Sequence, residues 1–140
     1  EGRLDIVINN AGVGITGPLE ETPASEIKNN FETNLFGPIE VMKAVLPQMR
    51  EQNSGLIINI TSIAGYMGLP YRGVYSASKG ALEIITEAIS MEVKNFGVTM
   101  RQLFKVRLMK NRMEIRCSKW TNTLTVEAIQ MKWQWLFIRL

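Results

Sequence analysis

Apolar residues gather in short runs along the chain, and two of these runs give way to stretches rich in Asn, Gly, Ser and Thr. Leu4-Asp5-Ile6-Val7-Ile8-Asn9-Asn10 and Leu56-Ile57-Ile58-Asn59-Ile60-Thr61 are nearly continuous rather than alternating. That pattern predicts strands buried on both faces, as in a parallel sheet. Val98-Thr99-Met100 opens a third strand-like segment. From Thr22 to about Gln52 the spacing is helical, with Thr22 as the expected N-cap and Pro23 in the first helical position. Gly and Pro between Asn34 and Pro38 predict a bend there. Asn53-Ser54-Gly55 reads as a turn, Ser62 to Gly73 as a loop, and Val74 to about Asn95 as a helix ended by Phe96-Gly97. On that last helix Leu82, Ile85, Ile89 and Val93 form one apolar stripe; Ala77, Ala81, Ile84, Ala88 and Met91 form another. The double stripe suits packing on a sheet and leaves room for a partner helix.

Strand, helix, strand, helix, strand in that order, with short connections, predicts an α/β fold of right-handed parallel β-α-β units. In open sheets of this kind ligands bind beyond the carboxyl ends of the strands. Asn9–Gly17 and Thr61–Gly73 are the two segments that leave such ends.

Composition narrows the chemistry. The chain has no histidine, which removes Ser-His-Asp and Cys-His catalysis and any imidazole-ligated metal site; no metal is expected. Cys117 is the single cysteine, so no internal disulfide forms and a cytoplasmic setting is the default expectation. No run approaches the roughly 18 apolar residues of a membrane span, and no signal-peptide pattern opens the chain.

The charge is split. Residues 1–100 carry 7 basic and 11 acidic side chains, a net of −4, and residues 101–140 carry 9 and 2, a net of +7. Every Gly and Pro lies at or before Gly97, and Trp120, Trp133 and Trp135 all lie beyond it. Two regions are therefore expected: residues 1–100 as the folded part and 101–140 as a basic tail standing outside the sheet. In the tail, Arg107, Lys110, Arg112, Arg116 and Lys119 are interspersed with Leu108, Met109, Met113 and Ile115. Without segregation they form neither a nucleic-acid patch nor a membrane-binding face, so neither partner is expected.

Tyr75-Ser76-Ala77-Ser78-Lys79 places a phenol and an ammonium four residues apart near a helix start, on one helix face. A phenol ionises near pH 10 and is a poor acid or base at neutrality. An ammonium beside it favours the phenolate, which makes the pair a tuned general acid/base. Ser62, at the mouth of the preceding strand, is placed to donate a hydrogen bond to a developing alkoxide. A Tyr with Lys four residues on is more often a surface pair. The upstream Ser at a fixed interval lowers the odds of coincidence to about one in a hundred, given seven Ser, three Tyr and eight Lys.

Asn9-Asn10-Ala11-Gly12, Asn34-Leu35-Phe36-Gly37, Thr61-Ser62-Ile63-Ala64-Gly65 and Tyr75-Ser76-Ala77-Ser78-Lys79 together resemble the successive motifs of the classical short-chain dehydrogenases, in that family's order and spacing. The resemblance covers about residues 3–99. It implies a partial Rossmann-like, doubly wound parallel sheet that lacks the N-terminal strands and the glycine-rich loop. It further implies an NAD(P)-dependent oxidoreductase acting on a small-molecule carbonyl or alcohol, with NAD and NADP left undecided. Catalytic roles would fall to Tyr75 as acid/base, Lys79 as its cation and ribose ligand, Ser62 as the positioner of the substrate oxygen, and Asn34 as the residue that bends its helix and holds a relay water. Asn9, Ala11, Gly12, Tyr75 and Lys79 would line the cofactor, and the intact parent would be a homo-oligomer. Residues 11–20 and 68–70 look most like members acting on steroids and retinoids.

Gly12-Val13-Gly14-Ile15-Thr16-Gly17 spells G-x-G-x-x-G after a strand, the fingerprint of a pyrophosphate loop. Such a loop opens directly onto a helix N-terminus. Here Pro18 and residues 19–22 intervene, so the glycines are read as a turn passing close to a cofactor. The family's own Thr-Gly-x-x-x-Gly-x-Gly loop is not in this sequence. These 140 residues by themselves are accordingly expected to be inactive, and the alternative to an oxidoreductase is a catalytically inactive fragment or pseudoenzyme that keeps only the second half of the fold.

Overall fold

In the computed structural model, residues 3–105 are described throughout, with side chains as far as Phe104, together with the backbone of 113–117, 124–126 and 136–138. Three parallel strands form the centre: β1 (Ile6–Asn9), β2 (Gly55–Thr61) and β3 (Val98–Lys105). β2 lies between the other two, with Val7 beside Ile57 and Ile57 beside Met100. All three carboxyl ends therefore open on one edge of the sheet.

Helix α1 (Ala24–Phe31) runs through a π-helical turn (Glu32–Phe36) into α2 (Gly37–Glu51), and α3 (Gly73–Val93) joins β2 to β3. The expected bend at Asn34–Pro38 is this wide turn, with Asn34 inside it. Thr22 does not cap α1. It follows a 3₁₀ turn over Leu19–Glu21, and its hydroxyl donates to the Pro18 carbonyl at 2.8 Å. Pro23 takes the N-cap position, and its carbonyl accepts from Glu26 and Ile27. Gly97, with φ of 69°, ends the turn after α3 in the left-handed region, where glycine costs least.

One face of the sheet packs Val7, Ile57 and Val98 against Met42, Val45 and Met49 of α2 and Val93 of α3. Ile8, Ile58, Ile60 and Leu103 are buried as a second cluster. Residues of β1 and β2 alternate between the two, as successive strand side chains must. Each fully buried aliphatic side chain here contributes about 1.5–3 kcal/mol. On α3 Leu82 and Val93 of the first stripe are buried and Ile85 and Ile89 half-buried, while Ile84 and Met91 of the other stripe are 72% and 69% exposed.

The expectation that the tail stays off the sheet is corrected. β4 (Met113–Cys117) pairs antiparallel with β3, β5 (Leu124–Val126) with β4, and β6 (Leu136–Ile138) with β1, giving the order β5-β4-β3-β2-β1-β6. The physical reason is that β1 and β3 are the outer strands of the three-stranded centre and present unpaired N–H and C=O groups, which any extended segment nearby satisfies. The tail's tryptophans and the side chains of its basic residues lie outside the described residues.

Candidate active site

The site is built at the carboxyl edge from three segments: the loop after β1, the turn after β2, and the first turns of α3. Asn34 fixes the first of these. Its side-chain oxygen accepts from the Val13 N–H at 2.8 Å, and its amide nitrogen donates to the Val13 carbonyl at 2.9 Å and to Ser78 Oγ at 3.0 Å. Asn30, one turn earlier, donates to the same carbonyl at 3.0 Å. A π turn admits one residue more than an α turn and leaves local backbone groups out of the regular ladder, a geometry common at functional sites. Here it turns two buried asparagine side chains onto one loop residue.

Ser62 ends β2 in extended conformation and caps the 3₁₀ turn Ile63–Gly65, its Oγ accepting from the Ala64 N–H at 3.2 Å. That contact uses a lone pair and leaves the hydroxyl proton to point elsewhere. Tyr66, next on the turn, donates its hydroxyl to buried Glu83 of α3 and stacks edge-on against Phe104, with ring centroids 5.4 Å apart.

Tyr75 and Lys79 face one cavity of about 210 Å³ together with Gly12, Thr61 and Arg72. Lys79 is buried, and its Nζ donates to the Ile60 carbonyl at 2.8 Å. A Cβ on Gly12 would lie 3.3 Å from both Lys79 Nζ and Asn34 Oδ1, so glycine keeps this wall open. The Arg72 guanidinium lies 4.9 Å from the centre of the Tyr75 ring. Beside this cavity is a larger one of about 380 Å³, lined by apolar side chains that include Ile15, Leu19, Leu69 and Val74.

Of the residues singled out from sequence, Gly12, Tyr75 and Lys79 thus meet in one cavity and Asn34 braces its floor. Ala11 is half-buried beside Gly12. Asn9 is turned into the protein instead: it is buried and donates to Asn59 Oδ1 at 2.7 Å, and Asn59 donates in turn to Thr86 Oγ1 at 2.7 Å. The Asn9 side-chain oxygen is buried without a hydrogen-bond partner. Sequence reasoning missed Arg72, which carries no motif and reaches the site only because the loop before α3 folds over the Gly12–Gly14 segment. It missed Ser78 and Asn30 as well. Their spacing of four from Asn34, for Asn30, was the available signal. Among the described residues no group of acidic, Cys or His side chains is arranged to hold a metal.

The short chain dehydrogenase family profile matches residues 1–105. The chain is 51% identical over 98 residues to a protein named 3-ketodihydrosphingosine reductase from Bacteroides thetaiotaomicron, covering 70% of this chain and 36% of that one. A solved short-chain dehydrogenase from Streptomyces avermitilis superposes with a TM-score of 0.75 at 39% identity, covering 79% of this chain and 40% of that one. A metagenomic short-chain oxidoreductase in complex with NADP does so at 0.72 and 32%, covering 76% and 48%. The chain spans 36% and 42% of the length of the first two curated relatives it matches. With the profile matched from strand β1 to the end of β3, the chain belongs to the short-chain dehydrogenase family.

Proposed function

We propose that the parent protein is an NAD(P)-dependent oxidoreductase that interconverts a carbonyl and an alcohol, with Tyr75 as acid/base. The observation that carries this reading is the meeting of Tyr75 and Lys79 in one small cavity walled by a glycine. Solved relatives hold NADP in one case and NAD in another, which supports a nicotinamide dinucleotide without choosing between them.

The residues fit one end of such a cofactor. Gly12 leaves the space, and Lys79 brings three ammonium protons, one of them on Ile60, to hold a ribose hydroxyl. Nothing in residues 3–105 fits the pyrophosphate end. The Gly12–Gly17 loop leads to a 3₁₀ turn, and α1 begins only at Ala24. The bound nicotinamide supplies or accepts the hydride. Tyr75 donates its phenolic proton to the oxygen as the carbonyl is reduced, and accepts it back in the reverse direction. The Ser62 hydroxyl donates to the same oxygen and steadies its developing charge. Asn34 holds Val13, and with it the wall of the cavity.

The apolar cleft beside the cavity supports a lipophilic substrate, as do human relatives named retinol dehydrogenase 8 and 17-beta-hydroxysteroid dehydrogenase type 1. The exposed Ala77, Ile84 and Met91 stripe on α3 supports homo-oligomerisation of the parent. A cytoplasmic location is proposed on the same footing; no helix among the described residues is long and apolar enough to cross a membrane. These 140 residues alone are proposed to be inactive, because the described residues 3–105 offer no seat for the pyrophosphate.

The test is NADH and NADPH consumption by the full-length protein against a panel of carbonyl compounds. Tyr75→Phe is expected to lower kcat by the factor of roughly 10²–10⁴ typical of a lost acid/base. Turnover close to wild type in that variant would remove Tyr75 from the role.

A further inference from the structure

We propose that Tyr66 and Glu83 are positioning residues for Ser62, latching the turn that carries its hydroxyl to the same helix that carries Tyr75. The inference rests on the oxidoreductase reading and adds to it how the two hydroxyls are held in register. Residues 62–66 form a closed unit. Ser62 Oγ accepts from Ala64, the Ser62 carbonyl accepts from Gly65 at 2.9 Å, and the Ile63 carbonyl accepts from Tyr66 at 3.1 Å. Bonded in this way the turn moves as one piece, so whatever holds Tyr66 also holds Ser62. Gly65 rests on the backbone at Gly80, a contact that sets a distance but leaves the turn free to rock. The rocking is stopped at the far end, where the Tyr66 hydroxyl donates to Glu83 and the ring meets Phe104 edge-on.

Helical spacing places Glu83 for this task. Tyr75, Lys79 and Glu83 follow one another at intervals of four on α3, so one helix face presents the acid/base at one end and the latch at the other. Glu83 is itself anchored to the sheet, because Gln102 of β3 donates to its backbone carbonyl at 2.7 Å. Its carboxyl group is buried, and Oε2 has no hydrogen-bond partner. A buried polar atom left unpaired weakens a fold, and an apolar side chain at this position would pack without that cost. Local departures of this kind gather at functional sites. Here the hydrogen bond that the carboxyl group does make is to the turn of Ser62. One helix therefore governs both donors to the substrate oxygen: Tyr75 stands on it and Ser62 is fastened to it. Their spacing matters, since a misplacement of about 1 Å at a reacting centre can lower the rate by roughly 10²-fold.

The full-length protein is assayed on a carbonyl compound that it reduces, with enzyme in excess so that slow variants are measured. Tyr66→Phe removes the hydroxyl and keeps the ring against Phe104. It is expected to lower kcat by about three- to tenfold, the worth of one hydrogen bond, and to leave KM for the cofactor unchanged. Glu83→Leu should show the same loss, and Glu83→Gln, which keeps an oxygen for Tyr66, should recover most of it. In a Ser62→Ala background Tyr66→Phe should lower kcat no further, because the two act as one unit. Tyr66→Phe and Glu83→Gln carry the test if Glu83→Leu does not fold. The assignment is overturned if Tyr66→Phe leaves kcat unchanged, or lowers it by the same factor with Ser62 already removed. It is also overturned if kcat and cofactor affinity fall together, the mark of a general loosening, or if Ser62→Ala is as active as wild type, since no hydroxyl is then left to position. A wild-type protein that reduces no carbonyl compound with NADH or NADPH would sink the oxidoreductase reading itself, and this inference with it.

Discussion

The carbonyl oxygen of Gly65 lies only 2.9 Å from where a Cβ on Gly80 would begin, and a Cβ on Gly65 would in turn lie 3.0 Å from the Gly80 nitrogen. Two glycines facing each other let the turn that carries Ser62 seat directly on α3, one residue from Lys79. In an exposed helix, Gly→Ala stabilises by about 1 kcal/mol. Here the new methyl meets backbone rather than a flexible side chain, and that overlap outweighs the propensity gain. Gly80→Ala is expected to destabilise by about 1–3 kcal/mol, as overpacking does. Urea denaturation of the full-length protein measures it, and a rise in the midpoint would refute the close seat.

Asn34→Ala is expected to cost about 1–3 kcal/mol, because it strips the half-buried Val13 N–H of its acceptor and buried Ser78 of a donor. Asn34→Asp keeps an acceptor for Val13 but sets a carboxylate against the Val13 carbonyl that the amide nitrogen now serves. It should therefore rescue little. Thermal unfolding together with kcat/KM of both variants decides this; full recovery in the Asp variant would mean that the amide nitrogen is dispensable.

Lys79 lies at the meeting of three elements, with its Nζ on the Ile60 carbonyl and against Gly12. Lys79→Met should weaken NADPH affinity of the full-length protein by about tenfold or more, as the loss of a charged hydrogen-bond donor implies. Lys79→Arg keeps the charge but carries a flat fork into a space shaped for a point charge, so partial recovery is expected. Cofactor fluorescence titration reads both, and an unchanged affinity in the Met variant would take Lys79 off the ribose.

The 140-residue chain, purified alone, is expected to show no saturable micromolar binding of NADH or NADPH, since no glycine loop in residues 3–105 opens onto a helix N-terminus. The control is Gly12→Val. Tight binding that disappears in this variant would show that the Gly12–Gly17 loop holds the dinucleotide after all.

The strands were legible because β1 and β2 are buried on both faces and so read as unbroken apolar runs. The Tyr75–Lys79 face was legible because helical spacing alone brings the two together. Asn34 could be picked out as a site residue, but the bend around it was attributed to the nearby Gly37 and Pro38, whereas the structure widens the helix into a π turn one step earlier. Asn9 depends on register: it sits directly opposite Asn59 only because β1 and β2 pair as they do, and no local pattern encodes that. Arg72 is invisible for a related reason, since its partners come from the loop after β1. The edge strands of the tail follow from unpaired backbone in β1 and β3, which depends on the assembled sheet and not on the tail's own composition.

The π turn also sets a rule for insertions and deletions. Glu32–Phe36 accommodates one residue beyond a regular α turn. A regular α-helix that loses a residue rotates everything upstream by about 100°, whereas a π turn that gives up its extra residue closes into an unbroken α-helix with both flanks still in phase. Losing a single codon there would leave Met42, Val45 and Met49 on the sheet and α1 near its present orientation, and would be felt chiefly at Asn34, which the wide turn presents to Val13. The exposed stretch from Tyr66 to Gly68, where the glycine has nothing within 4 Å of its missing side chain, should absorb the same change far more easily.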